Sequence, residues 1–190
     1  MCSSDLVVAS GISGHLFTPT GRYESIQTAT VDSAGTASIT FSSIPSTYTH
    51  LQIRGIARMN RADYADNLTL KFNSDASANF SSHGIRGDGS VVTTASATSA
   101  NYIYIDDMAA NNAISNVFGA VVIDILDYTS TSKNKTIRSL GGRDDNGDGG
   151  IGLVSGLWFK TPEVINSITL GGRYGSGFLQ YTKFALYGIK

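Results

Sequence analysis

The stretch VINSITLGGRYGSGFLQYTKFALYGIK, residues 164–190, decides the fold class. It reads as two strands around a glycine-rich turn. From Ile165 to Leu170 apolar and polar residues alternate, with Ile165, Ser167 and Thr169 on one face and Asn166, Ile168 and Leu170 on the other. Gly171, Gly172, Gly175 and Gly177 then give the backbone the freedom of a loop. Phe178 to Ile189 is rich in aromatic and β-branched residues, which suit a pleated, half-buried surface. Leu179, Tyr181, Ala185, Tyr187 and Ile189 share one face, Phe184 and Leu186 the other. A strand apolar on both faces belongs inside a sheet that is covered on both sides, and this one is expected to close the fold.

Working outward, Val117 to Tyr128 is the most apolar segment and reads as a second central strand. Val121, Ile123 and Ile125 lie on one face, Phe118, Ala120, Val122 and Leu126 on the other. Its length would suit a helix, but the β-branched run argues for a strand. Tyr48 to Arg58 alternates most clearly, with Leu51, Ile53, Gly55 and Ala57 opposite His50, Gln52, Arg54 and Arg58. Leu68, Leu70 and Phe72 form another inward row. Ile26 to Val31 and Thr36 to Phe41, joined by Asp32-Ser33-Ala34-Gly35, read as a hairpin. Tyr102 to Ile105, Lys135 to Leu140 and Ile151 to Lys160 add further strands. Asn73 to Asn101, Asp106 to Asn116 and Gly141 to Gly150 read as polar loops, the first with brief strands near His83 to Ile85 and at Val91-Val92.

Composition agrees. The 190 residues hold 21 Gly but only 3 Pro, and charged residues make up 15%, well under the usual quarter. Glu occurs only at Glu24 and Glu163, which disfavours helices. The expected fold is therefore all-β: a two-sheet antiparallel β-sandwich, a jelly roll of about nine or ten strands. Residues 23–190 form its one domain. Residues 1–22 read as an irregular N-terminal arm, and within it Met1 to Leu6 resembles translated adapter sequence and stays outside the fold reading. No signal peptide or membrane-spanning run is expected. A net charge of −1 makes nucleic acid a poor partner, and the single Cys2 makes no internal disulfide.

Asp144-Asp145-Asn146-Gly147-Asp148-Gly149 fits the opening of a calcium loop, in which alternate oxygen ligands precede a glycine at the sharp turn. Asp144, Asn146 and Asp148 are the candidate ligands, and calcium is the one cofactor the chain suggests. The bidentate Glu of the twelfth position is replaced by Ser155, which leaves an acidic inter-strand turn as the competing reading. Arg86-Gly87-Asp88 spells an adhesion tripeptide but reads as a turn. Catalysis lacks its parts. No placed carboxylate pair is visible, and His15, His50 and His83 stand in unrelated contexts with no G-x-S-x-G motif to supply a nucleophile. The expectation is a protein that is not an enzyme. Among the aromatics Tyr48, Tyr64, Tyr102, Tyr104 and Trp158, a sugar-stacking platform competes with ordinary cross-strand packing. Tyr64, Tyr102 and Tyr104 are the candidate ligand-binding residues.

Several segments together carry a resemblance: YESIQTATV (residues 23–31), ASITFSSIPSTYTHLQIRGIAR (37–58), FNSD (72–75), FGAVVIDILDY (118–128) and FALYGIK (184–190). They resemble small virion-associated proteins of tailed bacteriophages. That resemblance implies an all-β, jelly-roll-like structural module on the virion, used in capsid decoration or as a tail or fibre domain. It implies other virion proteins and further copies of the chain, as a trimer, for partners, and it supplies no catalytic residues. The alternative is a carbohydrate- or receptor-binding module that recognises host surface glycans through its loops.

Overall fold

The structure is a computed structural model that describes residues 23–174 and 177–190. The expected arm, residues 1–22, lies outside the described residues. Twelve strands run in chain order: β1 (Tyr23–Thr30), β2 (Ser38–Phe41), β3 (His50–Ala57), β4 (Ala65–Phe72), β5 (Phe80–Gly87), β6 (Val92–Ala100), β7 (Ile103–Ala109), β8 (Gly119–Ile125), β9 (Lys135–Asp145), β10 (Asp148–Trp158), β11 (Ile168–Gly172) and β12 (Lys183–Ile189). They form an eight-stranded sheet, β1-β12-β3-β8-β9-β10-β5-β6, and a four-stranded sheet, β2-β11-β4-β7. Every ladder between these strands is antiparallel. The result is an all-β, two-sheet antiparallel sandwich. A jelly roll has eight strands in two Greek keys. Here β8, β9 and β10 run consecutively through one sheet and β5–β6 forms a hairpin at its edge, so the coarser description is the one that fits.

The alternating rows supply the core. Leu51, Ile53, Ile123, Ile125 and Ile137 point inward from the large sheet, and Leu68, Leu70, Phe72, Ile168 and Leu170 meet them from the small one; all are fully buried. At one end Trp158 packs on Phe72 and Phe80, with ring centroids 5.4 and 6.1 Å away. Trp158 is thus a core residue, not part of an exposed platform, and its indole N–H is satisfied by Asp75 Oδ2 at 2.8 Å. That bond, with those from Asn79 and Ser77, outweighs the effect of burial and lowers the Asp75 carboxyl to about 2.

Several local readings change, among them the segment 106–116, whose first four residues are not loop but the end of β7. The turn at Asp32–Gly35 leads from β1 to β2, but the two do not pair: β1 lies on β12, and β2 lies on β11 in the other sheet. Alternation gives a strand its faces but does not choose its neighbour. The polar segment 73–101 is largely the β5–β6 hairpin, closed by a turn in which Asp88 Oδ1 accepts the N–H groups of Ser90 and Val91. β6 is an edge strand exposed along nearly its whole length, so its Ser, Thr and Ala residues carry no hydrophobic period. The segment 141–150 is not a loop either: β9 and β10 continue to Asp145 and from Asp148. Finally, Phe178 to Thr182 stands outside β12. Phe178 makes single bridges to Thr36 and Met59, Thr182 N–H closes a turn on Leu179 C=O at 3.2 Å, and Tyr181 has φ +70°.

Candidate functional site

The edge strand β7 of the small sheet packs against β9 and β10 of the large one. A cleft of about 420 Å³ opens between β7 and the β5–β6 hairpin. A bulge builds its floor. Leu68 pairs with Asp106 and Thr69 with Tyr104, so Ile105 is one residue too many for β4. The bulge lets Ile105 and Asp106 both be buried, breaking the alternation of faces.

Asp106 is only 2% exposed. It lies against the large sheet where two glycines, Gly141 and Gly152, are cross-strand partners. A Cβ at either glycine would stand 2.8 Å from Asp106 Oδ2, so the carboxyl fits only because both side chains are absent. Oδ1 accepts the Asp107 N–H at 2.7 Å, while Oδ2 has no hydrogen-bond partner. Burial pushes this carboxyl up to about 6, and the neighbouring Asp107 adds to the rise.

Asp107 faces the opposite situation. Arg86 Nη1 stands 3.2 Å from its Oδ2, Tyr104 O–H donates to Oδ1 at 3.1 Å, and Asn67 Nδ2 donates to the same oxygen. Arg86 Nη2 donates to Gly149 C=O at 3.0 Å, tying the group to β10. Burial first, and then the Asp107 charge, raise the Tyr104 phenol, so it stays a donor. At the mouth, Arg173 donates to Asn67 Oδ1 at 3.3 Å. The cleft therefore sets two guanidiniums and two carboxyl groups beside an amide and two phenols.

Tyr102 and Tyr104 both line this cleft. Tyr64 is exposed in the bend before β4 and does not line it. The structure thus brings together two of the three expected aromatic residues. Asp144, Asn146 and Asp148 sit at the tip of the β9–β10 hairpin. Asn146 and Gly147 have φ +56° and +96°, the signs of a two-residue type I′ turn. Asp144 Oδ1 accepts the Gly147 N–H at 2.9 Å, and Asp148 pairs with Arg143 at 3.3 Å. This is the geometry of a tight hairpin. Among the described residues there is no group of three or more His, Cys, Asp or Glu side chains that could hold a metal ion. No described helix is long and apolar enough to cross a membrane.

A second surface stands out on the outer face of the large sheet. The ladders place Ile85, Leu153, Leu140 and Val122 in one cross-strand row and Ile151, Gly142, Ala120 and Ile56 in the next. Ile151 is 60% and Leu153 55% exposed. The central part forms a shallow concavity of about 820 Å³. Arg54 and Lys183 border it on the β3–β12 side and Asp144 on the β9 side.

Reading the sequence missed Asp106, Asp107, Arg86 and Asn67 as a group. The signal lay in YIYIDDMA, residues 102–109, where two adjacent acids interrupt an apolar strand. Comparison with known proteins finds no matching family model, no matching curated protein and no matching solved structure.

Proposed function

We propose that this protein is a non-enzymatic structural module of a tailed-phage particle, a capsid-decoration or tail-associated domain that assembles with further copies of itself. The observation that carries the reading is the open outer face. In a sandwich of this size the outer face of a sheet is ordinarily polar, and a contiguous exposed apolar band marks a protein contact. The band also carries basic residues, Arg54 and Lys183, on one side and acidic Asp144 on the other. A second copy therefore supplies both the apolar surface and the opposite charge that each side needs. The resemblance of residues 23–31, 37–58 and 184–190 to phage virion proteins points the same way. Recognition of a host glycan is the other reading, and it draws on the cleft.

The test is the solution mass of the full chain, by light scattering after gel filtration. The expected result is a multiple of 20.1 kDa, three copies if the trimer expectation holds, reduced to one copy by Leu153→Glu with Ile151→Glu. Both side chains point to solvent, so unchanged circular dichroism is expected beside the change in mass. A wild-type monomer at micromolar concentration sinks the proposal.

A further inference from the structure

We propose that the cleft between β7 and the β5–β6 hairpin is a binding site for a neutral saccharide, held by Asn67, Asp107 and Arg173 with Tyr102 against the sugar ring. This inference stands on the cleft alone and does not depend on the outer face.

The argument begins with what the cleft offers. Its volume, about 420 Å³, falls in the range of small-ligand sites. Its polar groups alternate in kind. Arg173 donates at the exposed mouth, Asp107 accepts, and the Asn67 amide carries both a donor and an acceptor, while Arg86 and Tyr104 hold Asp107 from behind. A hydroxyl both donates and accepts, and neighbouring hydroxyls on a sugar ring match a row in which donors and acceptors lie side by side. A simple anion would use the guanidiniums but meet Asp107, and a simple cation would meet Arg173 and Arg86. The two charges of each sign leave no net demand for a charged ligand.

The site is also held in place before any ligand arrives. Asp107 is fixed by Arg86, Tyr104 and Asn67, and Arg86 is anchored on the β10 backbone. Asp106 closes the floor against Gly141 and Gly152. Pre-set polar groups spend less ordering entropy on a ligand. Tyr102, half-buried at the wall, supplies the aromatic surface that the C–H face of a sugar ring covers.

The experiment is retention of the wild-type chain on an array carrying both neutral and acidic glycans, followed by titration of the best-retained soluble oligosaccharide by calorimetry. The expected result is retention on neutral glycans, with affinity at least about tenfold weaker in Tyr102→Ala and in Arg173→Ala. Arg173 is exposed, so its variant folds normally and keeps the test readable if Tyr102→Ala is unstable; thermal melts of both report this. Loss of retention in these variants, with solution mass unchanged, separates the cleft from the outer face. No retention on any glycan overturns the proposal. So does retention confined to acidic glycans, or retention that survives Arg173→Ala.

Discussion

Two buried charges in this sandwich are handled in opposite ways. At the base of the β9–β10 hairpin, Arg143 is 8% exposed and is shared by two carboxylates, Asp145 at 3.8 Å and Asp148 at 3.3 Å. Asp145 Oδ1 also accepts the Ile114 N–H at 2.8 Å, so this cluster fastens the loop before β8 to the hairpin. A few residues away along β9, above Gly141, Asp106 is buried more deeply and has no cation of its own, because Arg86 is committed to Asp107 and to Gly149 C=O. Desolvation penalises both groups; at the hairpin each charge has an opposite charge within 3.8 Å, whereas at Asp106 the backbone N–H groups of Asp107 and Gly152 and the more distant Arg86 offset only part of it. One cluster pairs opposite charges and fastens two elements together. The other holds a carboxyl that titrates near neutrality under a ligand-sized cleft.

The largest effect is expected where the compensation is removed. Arg143→Met leaves Asp145, 7% exposed, as an uncompensated buried charge, and unfolding in urea should show a loss of about 3–5 kcal/mol. Asp148→Asn removes the exposed partner and should cost less than about 1 kcal/mol. Equal effects from the two would mean that Asp145 does not depend on Arg143, and the contrast with Asp106 would fail.

Asp106 gives the opposite sign. Its folded-state value, about 6, stands above the roughly 3.9 of an unfolded chain. Between these values the folded protein holds a proton that the unfolded chain has released. Stability from this group is therefore full below about pH 4 and falls as pH rises through 6, by about 2–3 kcal/mol in all. Asp106→Asn should flatten that slope and leave the variant more stable than wild type at pH 7. Asp75, lowered to about 2, acts in the other direction below pH 4 and is common to both proteins, so the difference curve isolates Asp106. A difference curve flat from pH 4 to 7 would show that the carboxyl is paired in solution.

Gly152→Ala tests the packing under that carboxyl. The added Cβ would meet Asp106 Oδ2 at 2.8 Å and Oδ1 at 2.9 Å, and overpacking of this kind costs about 2 kcal/mol. In an Asp106→Ala background the obstruction is gone and the cost should drop by half or more, a coupling read from a double-mutant cycle. Independent costs would show that the two residues do not share space.

The same contrast explains what could be read in advance. The inward rows of β3, β4 and β8 were legible because alternation is written in side chains such as Leu51, Ile53, Leu68, Leu70, Ile123 and Ile125. The hairpin β5–β6 was not, because an exposed edge strand of Ser, Thr and Ala has no apolar face to display. The acids at 144–148 were conspicuous as a motif, and the backbone there makes a two-residue turn. Asp106 was inconspicuous, because its burial depends on a bulge at Ile105 and on two glycines, Gly141 and Gly152, more than thirty residues further along the chain. Tyr102 and Tyr104 were picked out as aromatic residues, but the groups that make them part of a cleft come from β4, β5 and the segment after β11.

A small effect is also expected at the hairpin tip, and it separates the turn from the calcium loop that the same residues spell. Gly147 has φ +96°, and nothing lies within 4 Å of where its Cβ would be. Gly147→Ala therefore meets no steric obstacle from neighbours, and its cost is the backbone strain alone, about 1 kcal/mol. A tight turn predicts that this cost is the same with and without millimolar calcium. Wild-type and Asp144→Asn should then melt with the same response to the ion, since Asp144 is engaged with the Gly147 N–H. A cation loop predicts something else: a calcium-dependent rise in Tm for wild type, as mass action requires of any ligand that binds only the folded chain, and loss of that rise in Asp144→Asn. That result would mean that the tip opens from its two-residue turn to wrap the ion, and Arg143 would then have to release Asp148.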